Sequence, residues 1–228
     1  MGSNGEGEVW VTRWGGTAVG NKPGLRTKYL GHDWQPAQFI IPAAPLEVIE
    51  TFRKTYFGVP YSEEDFPEAV AVWNEKAFAR KKDRFAAGGF YAVRGRTAEI
   101  LAESDLGKGG LIPMPLFKAD LETPWPEPCW WLNFGESKGS FVPGESENLF
   151  EHRKHPETGE EWWSFMGPSV DYSIAVSRKA LTGSDLWIER QLRGEIFLSG
   201  RLARALIKAK IKPPLLHMHR AKIVGDVA

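Results

Sequence analysis

The stretch Gly194-Glu195-Ile196-Phe197-Leu198-Ser199-Gly200-Arg201-Leu202-Ala203-Arg204-Ala205-Leu206 runs a hydrophobic strand, a small turn and a helix opening together. Its apolar residues change from an unbroken run to helical spacing at the turn. Ser199 stands where a helix N-cap belongs. Residues 89–101, GFYAVRGRTAEIL, lie over residues 194–206 without a gap, and Gly89, Gly95, Arg96, Ala98 and Leu101 match Gly194, Gly200, Arg201, Ala203 and Leu206. Ile174 to Leu181 has the same strand-to-helix grammar. Two explanations stay open: a duplicated strand–turn–helix module, or the likeness that any such unit acquires from the physics of its turn. Either way, strands alternate with short helices, which predicts an α+β class with a mixed or antiparallel sheet and helices packed against it.

Outward from this stretch, Phe90 to Val93, Trp130 to Phe134, Trp162 to Met166, Tyr172 to Val176 and Leu215 to Val224 read as strands. Leu111 to Phe117 is extended, and its two prolines suit an edge strand. Glu145 to Glu161 reads as a long polar loop with a turn at Pro156-Glu157-Thr158-Gly159. In the first third, Val9 to Trp14 and Phe39 to Ile41 are strand candidates, and Leu46, Val48, Ile49 and Phe52 have helical spacing. Ser62 as N-cap, the acids Glu63 to Asp65, and the stripe Phe66, Ala69, Val70, Trp73, Ala77 and Phe78 predict a helix with a basic exit at Arg80 to Lys82. The texture divides the chain into residues 1–84, which could belong to the same domain, and an α+β unit over 85–228.

The 228 residues carry 29 Lys plus Arg against 29 Asp plus Glu. Zero net charge argues against a dedicated nucleic-acid binder or a polybasic membrane-surface protein. The first residues lack the basic and apolar regions of a signal peptide, and no apolar run approaches a membrane span. The expectation is a cytoplasmic protein. A lone cysteine, Cys129, excludes an internal disulfide framework; with no basic neighbour in sequence it reads as a buried, inert thiol. Ten tryptophans include the pairs Trp130-Trp131 and Trp162-Trp163. In a strand, one of each pair faces the core and the other the opposite side.

Asp185 to Ile188, Ile196 to Leu206 and Leu216 to Val224 resemble the closing segment of a bacterial immunity-protein family, immunity protein eleven, found beside polymorphic toxins. Tyr91 to Val93 and its helix, the proline-containing Leu111 to Phe117, Trp131 to Asn133, Phe141 to Pro143 and Ile174 to Ser177 follow in the same order. The resemblance spans roughly residues 85–224 and leaves the first 80 or so unmatched. One departure is Arg94-Gly95-Arg96, where a serine like Ser199 would be expected. The resemblance implies a small cytoplasmic protein that binds and neutralises one cognate toxin; it implies no catalysis, no cofactor and no nucleic-acid or membrane partner.

Chemistry is sparse. His217-Met218-His219 would put two imidazoles on one strand face but lacks a third ligand at metal spacing. His152 and His155 fall in a loop. Neither a nucleophile elbow nor a phosphate-binding glycine loop is present. Two alternatives to toxin binding are a hydrolase using His217 or His219 and a tryptophan-rich module for carbohydrate or another small ligand. The local charges are sharper than the total. Residues 120–171 hold eleven acids against three bases, and residues 178–222 the reverse, so segments of −8 and +8 cancel. They neutralise each other, are simply solvated, or leave an acidic docking face for a basic toxin cleft. The candidate interface is Glu145, Glu147, Phe150, Glu151, Glu157, Glu160, Glu161 and Trp162.

Overall fold

A computed structural model describes residues 7–13, 24–36, 51, 54–55, 57–80, 83–151, 154, 159–168, 170–211 and 218–225. The N-terminal strands are β1 (Val9–Thr12), β2 (Leu25–Tyr29), β3 (His32–Pro36) and β4 (Ala69–Val72), followed by helix α1 (Glu75–Ala79). Then come β5 (Arg84–Ala87), β6 (Phe90–Arg94), helix α2 (Gly95–Ala102), β7 (Gly110–Pro113), β8 (Leu116–Phe117) and β9 (Cys129–Asn133). The last third holds β10 (Leu149–Glu151), β11 (Trp163–Phe165), β12 (Ala175–Ser177), β13 (Leu186–Glu189), β14 (Leu192–Ser199), helix α3 (Gly200–Lys208), β15 (His219–Arg220) and β16 (Lys222–Val224).

The strands form mixed and antiparallel sheets, so the class is α+β. A six-stranded sheet runs β10-β11-β14-β1-β15, with β13 also on β14; two four-stranded sheets run β3-β2-β4-β8 and β5-β6-β9-β7; β12 and β16 form a parallel pair. Three apolar clusters separate these sheets. Phe66, Val70, Phe85, Phe90, Leu116 and Trp131 fill the space between the two four-stranded sheets. Val93, Leu101, Leu132, Leu186, Ile196, Leu198 and Leu202 join the β5–β7 sheet, both longer helices and the six-stranded sheet. Val11, Phe165, Ile174, Val176, Trp187 and Phe197 lie on that sheet's other face. Alternation explains why several strands read as unbroken apolar runs: Trp131 and Leu132, or Phe197 and Leu198, point into different cores. Trp130 is therefore half-buried against the helical cluster rather than facing water.

Both strand–helix echoes pass directly from strand into helix, and of the two only α3 has a side-chain cap. β6 enters α2 at Gly95, β14 enters α3 at Gly200, and the two helices pack against one core cluster. The third fragment is also built this way, β12 passing into a short 3-10 helix at Arg178–Leu181. Ser199 caps α3, its hydroxyl accepting from Leu202 N at 3.2 Å. Gly95 sits at φ +52° with the Asp83 carboxylate 3.2 Å from where a Cβ would be, so this entry requires glycine.

Three expectations need correction. The helix expected from Ser62 to Arg80 is a 3-10 turn at Glu63–Asp65, then β4, then α1. Pro67 cannot continue a helix and holds Phe66 extended (φ −86°, ψ 157°). Ala69–Val72 is buried at every position because β2 and β8 flank it. Asn74 then restarts a helix, its side chain accepting from Ala77 N at 3.0 Å. The polar segment 145–161 is not loop throughout, since β10 pairs with β11 as a hairpin. The single closing strand is two, β15 and β16, which join different sheets. Prolines 113 and 115 do mark edges: β7 ends one four-stranded sheet and β8 the other. The candidates over 14–23 and 37–50, and the turn at 156–159 apart from Gly159, lie outside the described residues. The 84/85 boundary falls at the start of β5, and β1 lies between β14 and β15.

Candidate functional site

The acidic segment is divided by its ion pairs. Glu145 binds Lys222 at 2.7 Å, Glu160 binds Arg190 at 3.3 Å, and Asp171 binds Arg220. These three pairs join the −8 segment to the +8 segment. The Lys222 ammonium holds the Glu145 carboxyl below the usual carboxylate range. Glu161 pairs within its own segment, with Lys154 at 2.8 Å. Trp162 is half-buried, and the Arg193 guanidinium lies over its ring at 3.2 Å. Glu157 lies outside the described residues.

Glu147, Phe150 and Glu151 are different, being exposed on or just before β10, the end strand of the six-stranded sheet among the described residues. Register decides what shares the face of Phe150. Phe150 is opposite Ser164, and Met166 N bonds to Asn148 O at 2.9 Å. Phe150 and Met166 therefore stand diagonally on one face, while Leu149 and Phe165 turn inward to the core. Phe150 is 56 % exposed and Met166 73 %, and Val170 and Tyr172 on the following loop are exposed too. The loop is tied to the segment just before β10 by Glu147 N bonding to Ser173 O at 2.8 Å. Met166, Val170 and Tyr172 escaped the sequence reading, which places no hairpin here.

A second site is a cavity of about 500 Å³ at the β14–α3 junction. Its residues Lys138, Asp185, Ser199 and Arg201 come from three separate stretches, the last two from the junction itself. Asp185 is the hub. It accepts from Ser199 Oγ at 2.5 Å, Asp105 N at 2.9 Å and the Arg201 guanidinium. Burial pushes its carboxyl up, but these donors prevail and hold it below the usual range. Lys138 Nζ donates to Ser184 O at 2.8 Å and Ala180 O at 3.1 Å, and lies 3.5 Å from the Trp187 ring centre. Behind it, buried Glu189 accepts from Ser140 Oγ at 2.5 Å and Trp187 Nε1 at 2.9 Å. Sequence reasoning saw only the cap in Ser199; the rest of the cluster has no short-range signature.

The chain matches no model of a known protein family and no curated protein.

The remaining candidates are placed as follows. His219 is buried and stacks on Phe165, and His217 lies outside the described residues. Among the described residues no group of three or more His, Cys, Asp or Glu could hold a metal ion. Cys129 is buried, and burial pushes its thiol up to about 12, which makes it a poor nucleophile near neutral pH. Among the described tryptophans, Trp73 is the exposed one, and Arg26 stacks on it at 3.8 Å. No helix among the described residues is long and apolar enough to cross a membrane.

Burial lowers Lys138 to about 8 from 10.5, against the pull of Glu189 and Asp185. Between these values the unfolded chain binds the proton that the folded chain has released. Folding stability relative to a Lys138→Met variant should therefore rise with pH from about 8 to about 10.5. Paired urea titrations at several pH values measure this, and parallel curves would refute it.

Proposed function

We propose that this protein is a cytoplasmic immunity protein that neutralises a cognate secreted bacterial toxin by stoichiometric binding. The resemblance over residues 85–224 supports this reading. The observation that carries it is the β10–β11 hairpin, where Phe150 and Met166 are exposed on the outer face and the exposed Glu147 and Glu151 flank Phe150 along the chain. An exposed aromatic flanked along the chain by carboxylates, on the end strand of the described sheet, has the make-up of an interface anchor with a charged rim. The carboxylates complement a basic cleft such as a nucleic-acid-degrading toxin carries. Glu145 and Glu160 contribute less, because Lys222 and Arg190 already neutralise them.

The test is binding and growth rescue with the toxin encoded beside this protein. Phe150→Ala should weaken affinity about 30-fold, mostly through faster dissociation. Glu147→Lys with Glu151→Lys should slow association and flatten its salt dependence. Wild-type affinity in both variants would remove this hairpin from the interface. Failure of the wild type to bind or rescue would remove the function.

The cavity favours a second reading, a hydrolase with Ser199 as nucleophile. Against it, Asp185 has a depressed proton affinity and would be a weak base. Labelling of Ser199 by a serine-directed fluorophosphonate would support this reading, and an unlabelled Ser199 would sink it.

A further inference from the structure

We propose that the cavity at the β14–α3 junction binds a small ligand through an oxyanion, a carboxylate or a phosphate. The proposal is independent of toxin binding, because the hairpin face and the cavity share no residue named for either.

The cavity is walled by the first turn of α3, where the helix dipole is positive. Three cations line it, Lys138, Arg201 and Arg204, against two carboxylates, Asp185 and Glu8. Both carboxylates are engaged by guanidinium groups: Asp185 by Arg201, and Glu8 by Arg204 at 2.8 Å. Each arginine has five N–H donors, so these pairs leave donors over for a second oxyanion. The side chain of Arg201 is 71 % exposed and that of Arg204 42 %, which allows them to close on a ligand. The independent mark is Ser184. It lines the same cavity at 3 % exposure, and its hydroxyl has no hydrogen-bond partner among the described residues. Buried hydroxyls are normally satisfied, and a ligand oxygen in the cavity would satisfy this one. A volume of about 500 Å³ fits a metabolite-sized molecule rather than a peptide segment.

The experiment titrates the full-length ¹⁵N-labelled protein with inorganic phosphate and, separately, with acetate, at constant ionic strength. The expected result is saturable shifts at the amides of Gly183, Ser184, Gly200 and Arg201 with at least one probe. Tighter saturation by phosphate assigns a phosphoryl ligand; tighter saturation by acetate assigns a carboxylate. Arg204→Gln should raise the midpoint about tenfold by removing a charge-assisted donor. Ser184→Ala should raise it several-fold. Arg201 is left intact because its loss would uncover the buried Asp185. Shifts that grow linearly with both probes, or a midpoint unchanged in the folded Arg204→Gln variant, would overturn the proposal.

Discussion

Replacing Trp187 by alanine should lower the unfolding free energy by about 4 kcal/mol, the middle of the range for a buried aromatic. The indole is fully buried and stacks on Phe197 at 5.7 Å with the ring planes 22° apart. Its removal would open a void between the six-stranded sheet and the β12–β16 pair, whose flanking strands cannot close it without breaking register. Two further losses add to the void. Glu189 would lose the Nε1 donor at 2.9 Å, and Lys138 would lose the ring under its ammonium. Trp187→Phe separates these terms. It keeps most of the apolar volume and removes the donor, and should cost about 1–2 kcal/mol. Urea unfolding of both variants is the measurement. An alanine variant within about 1 kcal/mol of wild type would mean that this core relaxes as no closely packed interior does. The alanine variant should also return Lys138 toward its ordinary 10.5, since water would reach the amine.

Alanine at Gly135 should cost about 3 kcal/mol, with a large fall in Tm, although it adds a single methyl group. A Cβ there would lie 2.1 Å from Gly109 N and 2.4 Å from Lys108 C. The same crossing seen from Gly109 puts a Cβ 2.1 Å from Asn133 O. Both partners are backbone, so no rotamer change relieves the clash. The close approach is made by the Gly107–Gly135 bridge, which sets the course of the chain between β9 and Lys138. Gly144→Ala is the control: its Cβ would meet nothing within 4 Å and its φ is not positive, so it should be close to neutral. Equal melting temperatures for the two alanine variants would refute the packing argument.

Much of the local structure was legible. Ser199 before an apolar helical run predicts the cap that Leu202 N completes, and the strand–glycine–helix echo predicts two units of the same build. The helix expected over 62–80 shows where such reading stops. Phe66, Val70, Trp73 and Ala77 keep helical spacing, yet Pro67 breaks the backbone and the pairing of β4 between β2 and β8 buries Ala69 to Val72. A buried strand and one face of a helix leave similar traces in a short apolar run.

The candidate sites divide in the same way. The opposed charge segments are plain in the sequence, but which acids stay available is not. Glu145 meets a lysine 77 positions away and Glu160 an arginine 30 away, while Glu147 and Glu151 keep their exposure. Asp185, Ser199 and Lys138 converge because β13 and β14 pair and the 135–140 segment crosses beside them. By itself the sequence determined the α+β class, the capped α3, the lone cysteine and the charge segments, since each depends on composition or on neighbours within about one helical turn. The tertiary structure alone decided the sheet order, the exposed hairpin face and the cavity, because strand pairing joins residues by the faces they must bury, at any separation along the chain.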